Sequence, residues 1–268
     1  MPEAAVPTLL GVPFDAASSY RRGPAAAPTA IRAALTSPGG NTWTEGLVDL
    51  SAVGAFTDAG DLRLSEGPEA RAAIEAGVAH VLASGGLPIV LGGDHSITYP
   101  VLRAMRPRHP HLSVLHIDAH PDLYEDYAGD RYSHACPFAR ALEERLVDEL
   151  VQIGIRAMTG PQRAQAERYG VEVIDMDAWV DGRRPALAYP VYLSIDLDGL
   201  DPAFTPGVSH PEPGGLTVRD VLTVLHHLEV PIVGADVVEL NPERDPLGLT
   251  AVVAAKLVKE VAGRMRSP

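Results

Sequence analysis

Cysteine and basic residues are both scarce in this 268-residue chain. Its single cysteine, Cys136, excludes an intramolecular disulfide framework and fits a reducing compartment. With 22 basic and 35 acidic residues, the formal net charge is -13. Nucleic acid and anionic membranes are therefore poor candidate partners, because both attract basic surfaces. A small cationic substrate or a divalent metal ion suits this charge balance better.

Long apolar runs are also lacking. None approaches the roughly 20 residues that a membrane-spanning helix needs. Residues 1–5 have neither the basic region nor the long apolar stretch of a signal peptide. Together these absences predict a cytoplasmic protein without a membrane partner.

Apolar runs that predict strands alternate with helical patterns almost to the end of the chain. The predicted strands are residues 8–13, 87–92, 112–118, 149–155, 171–175, 190–196 and 231–238. The predicted helices are residues 69–84, 98–106, 137–147, 161–169, 217–228 and 250–264. Strands this apolar, alternating with helices, indicate an α/β fold whose mainly parallel sheet is covered on both faces. Since no repeat or linker interrupts the pattern, a single domain over residues 1–268 is predicted.

Three of the predicted strands end in clusters of aspartate and histidine. The clusters are 92–96 (Gly-Gly-Asp-His-Ser), 118–122 (Asp-Ala-His-Pro-Asp) and 196–198 (Asp-Leu-Asp). Alternate residues of a strand point to the same face, and α/β sheets carry their sites at the carboxyl ends of strands. Six side chains are therefore predicted to meet in one site: His95, Asp118, His120, Asp122, Asp196 and Asp198.

Two imidazoles and four carboxylates form a mostly oxygen-donor ligand set, which favours Mn or Mg over Zn or Cu. Imidazole makes a purely Mg site less favourable. Six ligands exceed what one catalytic ion needs if a position is to stay open for water. Two ions bridged by shared carboxylates use all six and can lower the pKa of a bridging water. A lone Asp-x-Asp is more often a solvated strand end, so the prediction depends on the three clusters occurring together.

With these motifs, the chain resembles the arginase/agmatinase family of ureohydrolases. The matching stretches follow the family's order at residues 92–96, 118–122 and 194–202, and the resemblance covers nearly the whole chain. Residues 132–135, 206–216 and 234–239 look most like plant arginases. The resemblance implies a three-layer α/β/α sandwich, two Mn ions per chain and a homo-oligomer, either a trimer or a hexamer.

The resemblance also implies how the ligands are shared between the ions. One ion would be held by His95, Asp118, Asp122 and Asp196, and the other by His120, Asp118, Asp196 and Asp198. Asp118 and Asp196 would then be the bridging carboxylates.

Outside the metal site, the resemblance implies two further catalytic residues. His134 matches the family's proton-shuttling histidine, and Glu239 matches the acid that pairs with the substrate guanidinium. In the mechanism that follows, hydroxide attacks the guanidinium carbon, and Asp122 passes a proton to the leaving amine. The products would be urea and an amine.

The substrate prediction depends on two departures from animal and bacterial arginases. Those enzymes carry Ser-Gly-Asn before the shuttling histidine, where this chain has 130–133 (Asp-Arg-Tyr-Ser), and an Asp where this chain has Thr159. Plant arginases resemble this chain at the first place, so arginine is favoured. Agmatine or another guanidino acid is the alternative. Thr159 and His210, the latter in a Gly/Pro-rich loop, are the predicted contacts to the rest of the substrate.

Two other classes of protein stay open. Single-zinc deacetylases share the fold but typically bind zinc through two Asp and one His, and an inactive homologue usually loses ligands. Retention of all six ligands favours the two-ion hydrolase. His116 lies two residues before Asp118, so it either supports the ligands or is a packed core histidine.

Overall fold

The structure is a computed structural model that describes residues 5–266. Among these residues, eight strands form one sheet in the order β2-β1-β3-β8-β7-β4-β5-β6, with each neighbouring pair parallel. The strands are β1 (Val6–Gly11), β2 (Thr57–Asp61), β3 (Gly86–Leu91), β4 (Ser113–Ile117), β5 (Glu149–Ile155), β6 (Glu172–Asp175), β7 (Val191–Asp196) and β8 (Ile232–Val238). All seven predicted strands are present. One continuous sheet agrees with a single-domain chain, which stays a prediction.

Helices cover both faces of the sheet. They are α1 (Ala27–Leu35), α2 (Pro68–Ala83), α3 (Thr98–Met105), α4 (Pro137–Glu143), α5 (Gly160–Tyr169), α6 (Met176–Val180), α7 (Val218–His227) and α8 (Leu249–Arg266). Side chains of α1, α6, α7 and α8 pack on the face that carries Leu91 and Ile195. Those of α2, α3, α4 and α5 pack on the face that carries Val90 and Tyr192. The predicted three-layer α/β/α sandwich is confirmed.

Three elements of the sheet's surroundings were not predicted from the sequence: β2, α1 and α6. Strand β2 (Thr-Asp-Ala-Gly-Asp) is polar and largely exposed at the edge of the sheet, so it lacks the apolar pattern of a buried strand. Arg32 of α1 ties this edge down through bonds to Asp58, at 2.7 Å, and to Asp61. Helix α1 and strand β2, neither of which was predicted, therefore stabilise each other.

The four central strands, β3, β8, β7 and β4, bring the sequence clusters to one end of the sheet. Each of them is followed at once by one of the segments 92–95, 239–241, 197–198 and 118–122. A Cβ atom on Gly93 would stand 1.6 Å from the Phe14 carbonyl oxygen, so only glycine lets the first segment pass this close to the loop after β1.

No helix within residues 5–266 is both long and apolar enough to cross a bilayer. Residues 1–4, which carry most of the segment used in the signal-peptide prediction, lie outside the described part of the chain.

Candidate metal centre

His95 stands at the bottom of the site, with one ring nitrogen facing three carboxylates. Its Nδ1 lies 3.2 Å from Asp118 Oδ2, 3.0 Å from Asp122 Oδ2 and 3.2 Å from Asp196 Oδ2. The ring is fully buried, and Nδ1 has no hydrogen-bond partner among the described residues. A buried nitrogen without a partner is costly, unless a cation or a proton lies between it and the carboxylates.

The second ring nitrogen of His95 fixes which tautomer is present. Its Nε2 lies 2.9 Å from Ser194 Oγ, and the Ser194 hydroxyl donates to Asp236 Oδ1 at 2.7 Å. Because the Ser194 hydrogen is used on Asp236, the hydroxyl oxygen accepts from Nε2–H. Burial opposes a charge on His95, but the three carboxylates outweigh it and raise the pKa of the ring well above its usual range, so without a cation Nδ1 holds a proton. A metal ion in place of that proton would leave Nδ1 of the neutral ring with a lone pair that points at the three carboxylates, as in a metal ligand.

His120 forms a second group of donor atoms beside the first. Its Nδ1 lies 3.4 Å from Asp118 Oδ1 and 3.2 Å from Asp198 Oδ2. Asp118 therefore turns one oxygen toward His120 and the other toward His95. Asp196 differs, since its Oδ2 faces His95 while its Oδ1 accepts the backbone N–H of Asp198 at 2.8 Å.

These two groups have the chemistry of a metal centre. Ligand atoms of Asp118, His120 and Asp198 lie within 4.8 Å of one another, and so do those of His95, His116 and Asp118. In the second set, His116 Nε2 is only 2.7 Å from Asp118 Oδ2, which is a hydrogen bond. We therefore regard Asp122 and Asp196, which face His95 Nδ1, as the better ligands. Oxygen and imidazole donors of this kind fit a divalent cation such as Mn or Mg.

Proton binding by the cluster reflects its excess of negative charge. Burial, reinforced by the charge of Asp118, raises the pKa of Asp198 to about 7. Burial and the Asp198 charge raise the pKa of Asp196 well above its usual range. His120 has its pKa raised to about 12, because the attraction of Asp198 and Asp118 outweighs the burial that opposes its charge. In the absence of cations, bound protons neutralise part of the negative charge of these carboxylates.

Two residues of the site have left-handed backbone conformations that non-glycine residues rarely adopt. Asp122 has φ 50° and Glu239 has φ 64°. Each such conformation costs on the order of 1–3 kcal/mol and persists only where the surroundings enforce it. The backbone N–H of Glu239 donates to the Gly93 carbonyl at 3.0 Å, which helps to hold that conformation. The strain thus sets the direction of two carboxylates.

His134 and Glu239 form an ion pair on the wall above the candidate metal ligands. His134 Nδ1 lies 2.9 Å from Glu239 Oε1, which also accepts the backbone N–H of His95 at 2.9 Å. Burial lowers the pKa of His134, but Glu239 more than offsets this and raises it to about 9. Burial acts against the charge of Glu239, and His134 outweighs it, so the pKa of that carboxyl is lowered. Ser19 Oγ, 2.8 Å from His134 Nε2, can accept or donate as the ring gains or loses a proton.

A cleft of about 250 Å³ opens above these groups. Its wall includes both predicted substrate contacts, Thr159 and His210. The Thr159 hydroxyl lies 3.0 Å from the Tyr124 hydroxyl and 2.9 Å from Gln162 Oε1. The His210 ring stands 5.3 Å from the His134 ring, and its buried Nε2 has no hydrogen-bond partner among the described residues. Of the ten predicted site residues, eight line the cleft, and His95 and Asp118 lie buried beneath it.

A family model described as the arginase family matches residues 6–263. The chain belongs to the arginase family. Arginase 1, mitochondrial, from Arabidopsis thaliana is 45% identical over 276 residues, which cover 96% of this chain and 80% of the relative. The solved arginase from Medicago truncatula has a TM-score of 0.93 at 44% identity, covering 98% of this chain and 88% of that one. Guanidinobutyrase from Pseudomonas aeruginosa is 34% identical, covering 94% of this chain and 84% of the relative. The predicted family, fold and hydrolase class are confirmed.

The predicted cytoplasmic location is contradicted by the same comparisons. Several plant arginases that match almost the full chain are named mitochondrial or chloroplastic. The prediction was wrong because it treated one cysteine and an unremarkable start of the chain as evidence for a compartment. A low cysteine count reports on redox conditions, which do not identify a compartment.

Sequence reasoning missed several residues that shape this arginase-family site. Tyr124 continues the alternate spacing of the 118–122 cluster and could have been found from it. Asp236 is a lone acid inside the apolar strand β8, which is a signal for a buried polar role. Ser19 and Gln162 carry no signal of this kind, because only the folded chain brings their distant segments to the cleft.

Proposed function

We propose that this protein is a manganese-dependent arginase that hydrolyses L-arginine to L-ornithine and urea. The observation that carries the proposal is the pair of His/Asp groups sharing Asp118 beneath a cleft, in a chain whose relatives include named arginases. The cleft is lined by acids, which suits a cationic guanidino substrate.

Two Mn ions per chain suit the charge and the chemistry of the ligands. Asp118, Asp122, Asp196 and Asp198 carry four negative charges when ionised, which two divalent cations would balance. The set His95, Asp118, Asp122 and Asp196 would hold one ion, and the set His120, Asp118, Asp196 and Asp198 the other. Bound there, the ions would supply Lewis acidity that lowers the pKa of water and makes a nucleophile available at neutral pH.

Glu239 is suited to hold the guanidinium group. Its Oε1 is used by His134 and by the backbone of His95, whereas no hydrogen bond within residues 5–266 reaches its Oε2. A carboxylate oxygen free in this way can accept a charge-assisted bond from a guanidinium N–H. The cation would then lie in the cleft that Asp122 also lines.

Asp122 and His134 would move protons. Asp122 lines the cleft and also faces His95, so its carboxylate can take a proton from water and pass it to the leaving amine. His134 lies at the cleft wall with Ser19 on its outer side, so its ring can carry the other proton of that water, the one lost when hydroxide forms, toward solvent. We propose these roles together with substrate contacts by Thr159 and His210.

Polar groups on the cleft wall favour arginine over agmatine. Burial and the nearby His134 lower the pKa of His210, so its ring is neutral on that wall. The amide NH₂ of Gln162 has no partner among the described residues. Such groups can bind the carboxylate and amino groups of an amino acid, and agmatine has no carboxylate. The relative named guanidinobutyrase keeps other guanidino acids as the alternative.

We also propose a homo-oligomer, a trimer or a hexamer, on the strength of the sequence resemblance. Native mass spectrometry would read the state directly. A monomer at micromolar concentration would contradict it.

The test is a urea-release assay with Mn across arginine, agmatine, guanidinobutyrate and guanidinopropionate, and a formamide-release assay with formimidoylglutamate, together with metal analysis. We expect the highest kcat/KM with arginine and two Mn per active chain. A higher kcat/KM with agmatine or a guanidino acid would mean that this compound is the substrate and that arginine is not. One Zn per chain and no urea release would instead favour a deacetylase-type enzyme. Full metal loading without any hydrolysis would favour an inactive homologue.

A further inference from the structure

A row of buried polar side chains crosses the sheet directly beneath the candidate metal ligands. Asp236 of β8 is in register with Ser194 of β7, Ser194 with His116 of β4, and His116 with Gln152 of β5. All four are fully buried, in strands that are otherwise almost wholly apolar. Ser194 and Asp236 hold the His95 ring, as described above. Gln152 and His116 form a similar chain of hydrogen bonds that ends at Asp118.

The Gln152 amide determines the tautomer of His116. Its nitrogen lies 2.7 Å from the Pro121 carbonyl oxygen and 3.0 Å from His116 Nδ1. A carbonyl oxygen only accepts, so the group facing Pro121 is the NH₂, and its second hydrogen points to Nδ1. Nδ1 is therefore an acceptor. The ring hydrogen sits on Nε2 and is donated to Asp118 Oδ2 at 2.7 Å.

Packing and hydrogen bonds leave the His116 ring little freedom. The ring stands 4.2 Å from the Phe138 ring and 5.0 Å from the His95 ring. Gln152 Oε1 is left without a partner among the described residues. Leaving a buried carbonyl oxygen unpaired costs free energy, and turning the amide around would set that oxygen against Pro121. The two NH₂ bonds therefore hold the amide in this orientation.

We propose that His116 is a positioning residue that fixes the Asp118 carboxylate between the two ligand groups. Two donors hold that carboxylate: His116 Nε2–H binds Oδ2, and the His120 backbone N–H binds Oδ1 at 2.6 Å. One donor on each oxygen fixes the plane of the carboxylate, so that Oδ2 faces His95 and Oδ1 faces His120. A carboxylate that serves two cations depends on such an orientation, because its remaining lone pairs must point to different places. This inference rests on the proposed two-ion centre.

The test compares two amide replacements of nearly equal chemistry. In His116→Gln the side-chain nitrogen can reach the place of Nε2 and still donate to Asp118, whereas in His116→Asn it stops near the place of Nδ1. Apoprotein prepared by chelation is titrated with Mn²⁺, and free Mn²⁺ is followed by its EPR signal. We expect His116→Asn to bind Mn roughly 10- to 100-fold more weakly than the wild type, and His116→Gln to stay within a few-fold.

Val114→Ala is the matched control, since Val114 is buried two residues earlier on the same face of β4. It creates a cavity and lowers thermal stability but should leave Mn affinity unchanged. Wild-type affinity in His116→Asn, or equal losses in all three variants, would overturn the inference. Fewer than two Mn bound by the wild type would overturn the proposed centre itself, which is a different result.

Discussion

At the scale of single residues, Glu239 connects the candidate metal ligands to the proposed proton carrier. One of its oxygens holds both the backbone of His95 and the ring of His134, and the other has no hydrogen bond from any residue in the described range 5–266. Its left-handed φ of 64° is what turns the side chain this way immediately after β8. A single residue thereby positions a proposed ligand, raises the pKa of a histidine and, in the proposed function, offers a charge to the substrate.

We expect Glu239→Gln to lower kcat/KM for arginine roughly 10- to 150-fold through a higher KM, with a further loss in kcat because His134 also loses its charged partner. The reason is the loss of a charge-assisted hydrogen bond to the guanidinium, which contributes about 1.5–3 kcal/mol. Steady-state kinetics of urea release measure kcat and KM for both proteins. Glu243→Gln is the control, because Glu243 is an exposed acid four residues later. An unchanged KM in Glu239→Gln would argue that the guanidinium is held elsewhere.

His134→Ala is expected to slow turnover by roughly 100- to 10,000-fold, the usual contribution of a proton-transfer residue. Both metal ions should remain, since the His134 ring contacts Glu239 and Ser19 rather than any of the six proposed ligands. Metal content by mass spectrometry and turnover by urea release are measured on the same sample. Loss of a metal ion in this variant would mean that His134 is a ligand. His227→Ala, at an exposed helical histidine, provides the control.

The sequence was sufficient for residues whose chemistry and spacing are both unusual. His120 and Asp122 closely follow an apolar strand, so their place at its carboxyl end could be predicted. Strand alternation is not what brings them to Asp118, because β4 ends at Ile117 and Asp122 has a left-handed φ of 50°. Ser19 and Gln162 are common residue types in unremarkable segments. Their place at the cleft follows from how the loop after β1 and the start of α5 pack, which a pattern of residues does not encode.

At the scale of elements, the buried strands were predictable and the polar edge was not. Strand β7 is apolar apart from Ser194 and its last residue, as expected of a central parallel strand when helices cover both of its faces. Strand β2 pairs only with β1 and stays exposed, so nothing in its composition separates it from a loop. It is held by its pairing with β1 and by the contact of Arg32 with Asp58, and neither is encoded in a local pattern of residues.

Helix α7 begins with a reciprocal capping box that should stabilise it measurably. Thr217 Oγ1 accepts the backbone N–H of Asp220 at 3.0 Å, and Asp220 Oδ2 accepts that of Thr217 at 2.9 Å. We expect Thr217→Ala to lower the free energy of unfolding by about 1 kcal/mol. Denaturant unfolding monitored by circular dichroism is the measurement. Thr223→Ala, at an exposed site in the same helix, should change it by less than about 0.5 kcal/mol, and equal losses would contradict a capping role.

At the scale of the whole molecule, the fold concentrates negative charge where solvent cannot screen it. Asp118, Asp196 and Asp198 are buried at the carboxyl ends of central strands, and Asp122 lies among them. Burial and mutual repulsion make this cluster unfavourable unless cations or protons neutralise it. Stability and metal binding should therefore be coupled, because the folded state holds the ligands together and the unfolded state does not.

We expect metal removal to lower Tm, and the gap between the metal-bound and metal-free proteins to widen as pH rises from about 6 to 8. In the metal-free protein, the pKa of Asp198 is raised to about 7 and that of His120 to about 12. A folded-state pKa above the unfolded value means that bound protons stabilise the fold at low pH. For Asp198 that stabilisation fades as pH rises through about 7. Divalent cations displace those protons, so metal binding strengthens over the same pH interval.

Thermal melts with Mn or with a chelator at matched pH values measure the Tm difference between the metal-bound and metal-free proteins. A Tm difference that narrows toward pH 8 would contradict a metal site built from these carboxylates.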